Sequence, residues 1–195
     1  MSEAARRPYR KQKRAISKEE TRLRIVEATM RLHEEVGPRN TTISGIADRA
    51  GVQRLTVYRH FSDETAIFQA CTAHWLSLNP PPNPIDWAEV ADPRVRFRAA
   101  ISAFYAYFSR TRAMWTVSFR DVTEVPALQA PMAEVAAFLA GVADDLIVAF
   151  GETGQTTHIA PTIRHALNFP TWSDLESQSL TDAEKVDLVT RWVCG

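Results

Sequence analysis

The stretch Thr42-Ile43-Ser44-Gly45-Ile46-Ala47-Asp48-Arg49-Ala50-Gly51-Val52-Gln53-Arg54-Leu55-Thr56-Val57-Tyr58-Arg59-His60-Phe61 decides how this chain folds. Ile43, Ile46, Ala47 and Ala50 fall on one face of a short helix over 43–50, and Thr42 is placed to cap its start. Gly51 supplies the backbone freedom for a tight turn. A second short helix follows from about Arg54 to His60. Val52 and Val57 face a core, which leaves Gln53, Arg54, Thr56 and Arg59 outward. Two short helices around a tight turn make a helix-turn-helix, in which the second helix enters a DNA major groove and the first braces it across the backbone. The outward side chains suit base edges and phosphates.

Upstream, Ile25, Ala28, Leu32 and Val36 recur on one helical face, and Gly37-Pro38 ends that helix. Residues 1–17 crowd Arg6, Arg7, Arg10, Lys11, Lys13 and Arg14 together with few large apolar side chains, and are expected to form a flexible basic arm. Downstream, Phe61-Ser62-Asp63 turns the chain into a longer helix that ends at Asn79. Asn79-Pro80-Pro81-Pro82-Asn83-Pro84 is a stiff connector. Asp92-Pro93 opens a helix to about Arg110, apolar nearly all round from Ala99 to Phe108 and therefore central. Further helices are predicted over about 113–123, 131–150, 157–175 with a kink at Pro170, and 181–192, the last opened by a Thr181–Glu184 capping box. No useful strand-like alternation and no internal repeat occurs. The expected class is all-α: a three-helix helix-turn-helix domain followed by a helical ligand-sensing and dimerisation domain. The expected divisions are an arm 1–17, a DNA-binding domain 18–62 and a second domain 63–195.

Residues 42–61, with Ile25, Ala28, Leu32 and Gly37 before them and Ala66, Ile67 and Phe68 after, resemble the DNA-binding signature of the TetR family of repressors. The likeness covers roughly residues 18–70, and the remainder fits only in length and helical character. It implies that Tyr58 and His60 grip phosphates at the end of the recognition helix. It places Thr42, with Ser44 beside it, at a helix N-terminus that meets a phosphate. Gln53, Arg54, Leu55, Thr56 and Arg59 lie where members approach bases or backbone. Three positions depart from the pattern. Leu55 stands where glycine or a small residue is usual, and either meets a thymine methyl or packs. Glu64 stands where many members have a lysine that holds the DNA backbone. His33 stands at an aromatic core position and is expected to be a packed histidine hydrogen-bonded to backbone.

The balance of charge agrees with a nucleic-acid partner. The chain has 23 basic and 23 acidic residues. Residues 1–60 hold 14 Lys and Arg against 7 Asp and Glu, and the rest of the chain carries the opposite excess. No signal peptide and no membrane partner are expected, since the basic N-terminus is followed by no apolar run and no stretch is long and apolar enough to cross a bilayer. Cys71 and Cys194 lie too far apart in sequence to suggest a disulfide framework, and two idle thiols fit a bacterial cytoplasmic protein, associated with the nucleoid when bound to DNA. No nucleophile elbow, phosphate loop or paired-histidine metal helix is present, so no enzyme activity, metal or cofactor is expected. His158 and His165 are seven residues apart, about 10 Å along a helix, too far to share one metal.

The second half is rich in aromatic residues, most of which read as core. His74, Trp75, Phe104, Tyr105, Tyr107, Phe108 and Trp115 are the candidates for lining an effector pocket, which points to a small, largely apolar or aromatic effector. The partners expected are double-stranded operator DNA, a second copy of the chain, and an effector. The dimer is expected to form through helices 157–175 and 181–193, whose Ile159, Ile163, Leu167, Val189 and Trp192 have little chain left to cover them. A second possibility is a DNA-binding or interaction protein whose C-terminal domain only dimerises.

Overall fold

The computed structural model describes residues 3–151 and 158–194. Every regular element among them is helical: α1 (Glu3–Val36), α2 (Ile43–Ala50), α3 (Arg54–His60), α4 (Glu64–Leu78), α5 (Ile85–Ala88), α6 (Pro93–Asp121), α7 (Pro126–Ala149), α8 (Ile159–Ala166), α9 (Phe169–Ser177) and α10 (Asp182–Cys194), with a 3-10 turn at Pro38–Asn40. The all-helical class expected from sequence is what the chain adopts.

Several boundaries differ from the sequence reading, each for a local reason. The segment 3–17, expected as a flexible arm, is the first part of α1. Its alanines, arginines, lysines and glutamine are strong helix formers with little entropy to lose. The helices expected over 93–110 and 113–123 are one, because nothing in Ser109-Arg110-Thr111-Arg112 breaks the ladder. α7 starts at Pro126 and carries Pro131 inside it. The expected single helix over 157–175 is two, α8 and α9, divided at Leu167-Asn168, with Pro170 in the first turn of α9. Residues 152–157, including the expected start of that helix, lie outside the described residues. The short helix α5 was not expected.

The chain divides into two compact units. The first comprises Met1–Leu78 and Val117–Leu128, the second Asn79–Thr116 and Gln129–Gly195. In the first unit, Ile25, Val26 and Ala28 of α1 pack with Ile43, Ile46, Ala47 and Ala50 of α2, Val57 of α3, Phe61, and Ile67 of α4, all buried. Val36, expected on the buried stripe of α1, is 39% exposed, since it lies in the last turn, next to Gly37. α4 packs on α1: the rings of Phe68 and His33 are 5.3 Å apart and Trp75 Nε1 donates to Glu34 Oε1 at 3.2 Å. The packing division therefore falls after Leu78, whereas the sequence places the boundary at 62/63.

In the second unit, Phe97, Ile101, Phe104, Tyr105 and Phe108 of α6 are buried beside Trp115, with Phe169 and Trp172 of α9 in the same cluster. Phe108 is its hub, with ring centroids 6.1 Å from Phe104, 6.0 Å from Trp115, 5.6 Å from Phe169 and 6.2 Å from Trp172. Lys185 of α10 is 1% exposed. Its ammonium is held by Glu176, by Asp182 Oδ1 at 2.7 Å, and by the ring of Trp172 at 5.3 Å, which compensates a charge taken out of water. The capping box of α10 forms as expected, with Glu184 Oε2 accepting from Thr181 N at 2.8 Å and Thr181 Oγ1 accepting from Glu184 N. Ile163, Leu167 and Val189 are not left uncovered: all three are buried inside their own unit, and of that expected face Trp192 is the large side chain that stays exposed, at 42%.

Candidate nucleic-acid interface

The helix-turn-helix is assembled as the sequence requires. Thr42 is extended, and its Oγ1 accepts from Gly45 N at 3.1 Å, which satisfies one of the orphan donors at the start of α2. Gly51 takes the left-handed conformation at φ 64°, and its N–H bonds to the carbonyls of Ala47 and Asp48. A Cβ there would meet nothing within 4 Å, so glycine is required by backbone conformation and not by space. Val57 is fully buried and anchors α3 to the core. Around that anchor Gln53, Arg54, Leu55, Tyr58 and Arg59 are exposed, and Thr56 and His60 are half-buried. Thr42 is exposed and Ser44 half-buried at the start of α2. The nine sequence-selected DNA residues thus lie on α2 with its cap Thr42, on α3, and in the turn between them. Leu55 is 58% exposed, so it packs little against the rest of the chain.

The electrostatics at the end of α3 involve residues that the sequence reading did not select. Arg22 of α1 sits over the ring of Phe61 at 5.0 Å. Burial first, then the charges of Lys18 and Arg22, hold the His60 imidazole below its ordinary value, with its Nδ1 buried and unpartnered. α1 therefore places Lys18 and Arg22, the latter paired with Glu19 at 3.9 Å, beside the end of the recognition helix. The run of basic residues carries a signal for this, but its composition points equally to a flexible arm. On the next segment, Asp63 caps α4 by accepting from Ala66 N at 2.8 Å and from Ser62 Oγ at 2.9 Å. Those bonds, the Ala66 N–H foremost, keep its carboxyl below the usual range. Glu64 is exposed beside it.

His33 is buried as expected, but its described partner is a thiol: Nδ1 lies 3.7 Å from Cys71 Sγ. Burial lowers the His33 pKa to about 4, against a smaller opposing effect of Asp121, and burial pushes the Cys71 thiol up to about 12. Both groups are neutral and Cys71 is no nucleophile.

Of the effector candidates, Phe104, Tyr105, Tyr107, Phe108 and Trp115 lie together in the second unit, all buried, while His74 and Trp75 belong to the first. The hydroxyl of Tyr105 donates to Ala166 O at 3.1 Å and that of Tyr107 to Asn79 O at 3.3 Å. Burial raises both tyrosine pKa values, that of Tyr107 to about 12. Phe169 and Trp172 join this cluster without having been selected from sequence, where the run Phe169-Pro170-Thr171-Trp172 stands out for its proline. Among the described residues no group of three or more His, Cys, Asp and Glu side chains is arranged to hold a metal ion, and no helix is long and apolar enough to cross a membrane.

Residues 25–71 match the family model described as bacterial regulatory proteins, tetR family. A segment of 70 residues, 34% of the chain, is 39% identical to the HTH-type transcriptional regulator SrpR of Pseudomonas putida, and spans about a third (33%) of that curated relative's length. Three solved structures are similar over most of their length. A proposed fatty acid metabolism regulator from Clostridium perfringens superimposes with a TM-score of 0.65 at 16% identity, covering 86% of this chain and 94% of its own. A TetR-like transcriptional regulator from Rhodococcus sp. RHA1 gives 0.62 at 14%, covering 89% and 93%. A TetR transcription regulator from Haloarcula marismortui gives 0.59 at 14%, covering 90% and 95%.

Proposed function

We propose that this chain, whose residues 25–71 match the tetR family of bacterial regulatory proteins, is a cytoplasmic repressor of that family which binds a palindromic operator as a homodimer and leaves it on binding a small, largely apolar effector. The observation that carries the DNA-binding part is the exposed row Gln53, Arg54, Leu55, Tyr58 and Arg59 around the buried anchor Val57. Gln53, Arg54 and Arg59 supply donors for base edges and phosphates, and exposed Leu55 supplies an apolar surface for a thymine methyl. Thr42 at the start of α2, with Tyr58 and His60 at the end of α3, brackets this row with phosphate ligands.

One helix-turn-helix reads few base pairs, and two of them about 34–36 Å apart read a palindrome. Trp192 on α10 and the half-buried Ile159 on α8 are the apolar side chains offered to a second copy. The aromatic cluster around Phe104, Tyr107, Phe108 and Trp115 supplies the apolar surroundings for an effector. The test is selection of bound duplexes from fragmented genomic DNA by the purified full-length chain, with sedimentation of the selected complex. A recurrent inverted repeat bound by two copies supports the reading. Uniform recovery of all sequences, or a monomer on the selected duplex, overturns it. Among small apolar compounds, one that lowers affinity for that duplex supports the repressor part, and one that raises it argues for the opposite sign of regulation.

A further inference from the structure

The end of α6 holds a buried carboxylate with no part in the DNA-facing row. Asp121 is 0% exposed. Its Oδ2 accepts the backbone N–H of Arg39 at 3.1 Å and Nη2 of Arg120 at 3.0 Å, and its Oδ1 accepts Nε of Arg120 at 2.6 Å. Arg120 Nη2 also donates to Val36 O at 3.0 Å, in the last turn of α1, where helical carbonyls lack intrahelical donors. Arg39 Nη1 in turn reaches Glu124 Oε1 at 2.6 Å, just beyond the end of α6. Arg120 first, and then the Arg39 N–H, keep the Asp121 carboxyl below its ordinary range despite burial, so it stays charged.

These bonds converge on the turn between α1 and α2. Gly37 has φ +89°, and a Cβ placed on it would lie 1.9 Å from Arg120 Nη2 and 2.4 Å from Asp121 Oδ2. The glycine is needed for conformation and also for the close approach of the carboxylate. From the turn the bonds continue inward: Thr41 Oγ1 donates to Gly37 O at 2.9 Å, Thr41 N to Pro38 O at 3.2 Å, and Asn40 Nδ2 to Val36 O at 3.0 Å. The next residue is Thr42, the cap of α2.

We propose that Asp121 is a positioning residue for operator recognition: by holding Gly37–Arg39 it fixes where Thr42 and the N-terminus of α2 stand, and so sets the register of the helix-turn-helix on DNA. The inference rests on the DNA-binding reading above. A phosphate ligand at a helix N-terminus fixes orientation without reading sequence, so loosening it degrades specific binding more than general attraction to a polyanion.

The experiment uses the full-length chain, the duplex it selects, and a scrambled duplex of the same length and composition. Asp121→Asn retains an oxygen that can accept from Arg39 N–H and gives up the ion pair; Asp121→Ala gives up both. Affinity for the selected duplex is expected to fall about tenfold in Asp121→Asn and further in Asp121→Ala, the loss expected for bonds to a charged group. Affinity for the scrambled duplex is expected to change by less than about twofold, since counterion release needs no register. Amide exchange at Arg39–Gly45 is expected to quicken while that at Val57–His60 is unchanged. An equal loss on both duplexes, or an unchanged affinity for the selected one, overturns the positioning role and leaves DNA binding intact. Should both variants fail to fold, Arg120→Gln, at a side chain half exposed to solvent, is measured in the same way, and unchanged discrimination overturns the proposal. A wild-type chain that selects no sequence overturns the DNA-binding reading and this inference together.

Discussion

The exposed row around α3 in the first unit and the interior of the second use their polar atoms in different ways. In the first, the side chains of Gln53, Arg54 and Arg59 on the face around α3 stand exposed, while apolar residues hold the helices and Arg39, Arg49 and Arg120 elsewhere in the unit are paired with carboxylates. In the second, large aromatic rings fill the interior, and several polar groups there are bonded internally, as when Tyr105 and Tyr107 donate to backbone carbonyls and Lys185 is enclosed by two carboxylates. A surface that keeps its hydrogen-bonding capacity free can be read as an interface directly. An aromatic interior whose hydroxyls already have partners must rearrange or open to admit a ligand. The first unit therefore presents its interface directly, whereas the effector binding proposed for the second would require such a rearrangement.

The contrast is broken most strongly at Phe108. Truncating this hub to alanine should cost about 3–5 kcal/mol, because ring packing disappears and a residual cavity remains. Thermal unfolding followed by circular dichroism should show the drop in stability. If the melting temperature is unchanged, the cluster is loosely packed and the unit is already open to ligands.

Acidification sharpens it next. The His33 pKa of about 4 lies below its ordinary 6.5. Between those values the unfolded chain takes up a proton that the folded chain refuses. Stability should therefore fall as pH drops from 6.5 toward 4, by roughly 3 kcal/mol over the full span, with no contribution above it. His33→Phe should flatten the profile of denaturant midpoint against pH in that window. An unchanged slope would place the pH dependence elsewhere.

At the interface itself, Thr42→Ala removes the cap on Gly45 N and should cost about 1 kcal/mol of stability. It should also weaken operator binding severalfold in a mobility-shift titration, and a variant that melts normally and binds normally would remove Thr42 from the site. The smallest effect belongs to the start of α1. Deleting residues 1–15 should weaken binding to every duplex alike and reduce the log–log salt slope by about 0.9 for each phosphate that is no longer neutralised. A change in which sequence is preferred would mean that this segment reads a groove.

The helix-turn-helix is legible in the sequence because its pattern is local. Thr42 and Gly51 each have a role dictated by neighbours within four residues, and Val57 marks the buried face of a seven-residue helix, so spacing alone places them. The all-helical class is legible for the same reason. The clamp on the first unit is not: Asp121 is the last residue of the long helix α6 and meets Arg39, which is 82 residues away, so no periodicity links them. Gly37 reads as a stop signal, which is half of what it does. Ile163, Leu167 and Val189 read as uncovered because a stripe on a helix announces burial without saying against what. Likewise the continuous α6 reads as two helices where the apolar pattern fades, although fading hydrophobicity does not end a helix that lacks Gly or Pro.

The first unit is discontinuous along the chain, since Val117–Leu128 belongs to it as much as the first 78 residues do. A gene fragment truncated after Leu78 would encode the reading head without the carboxylate that steadies its opening turn. A chimera joined there would confront that turn with a foreign strap, whose residue at the position of Asp121 need not match Gly37. Exchange of DNA specificities among relatives of this chain therefore requires three junctions, near residues 78, 117 and 128. A single crossover after Leu78 should yield hybrids that fold and still bind their operators badly.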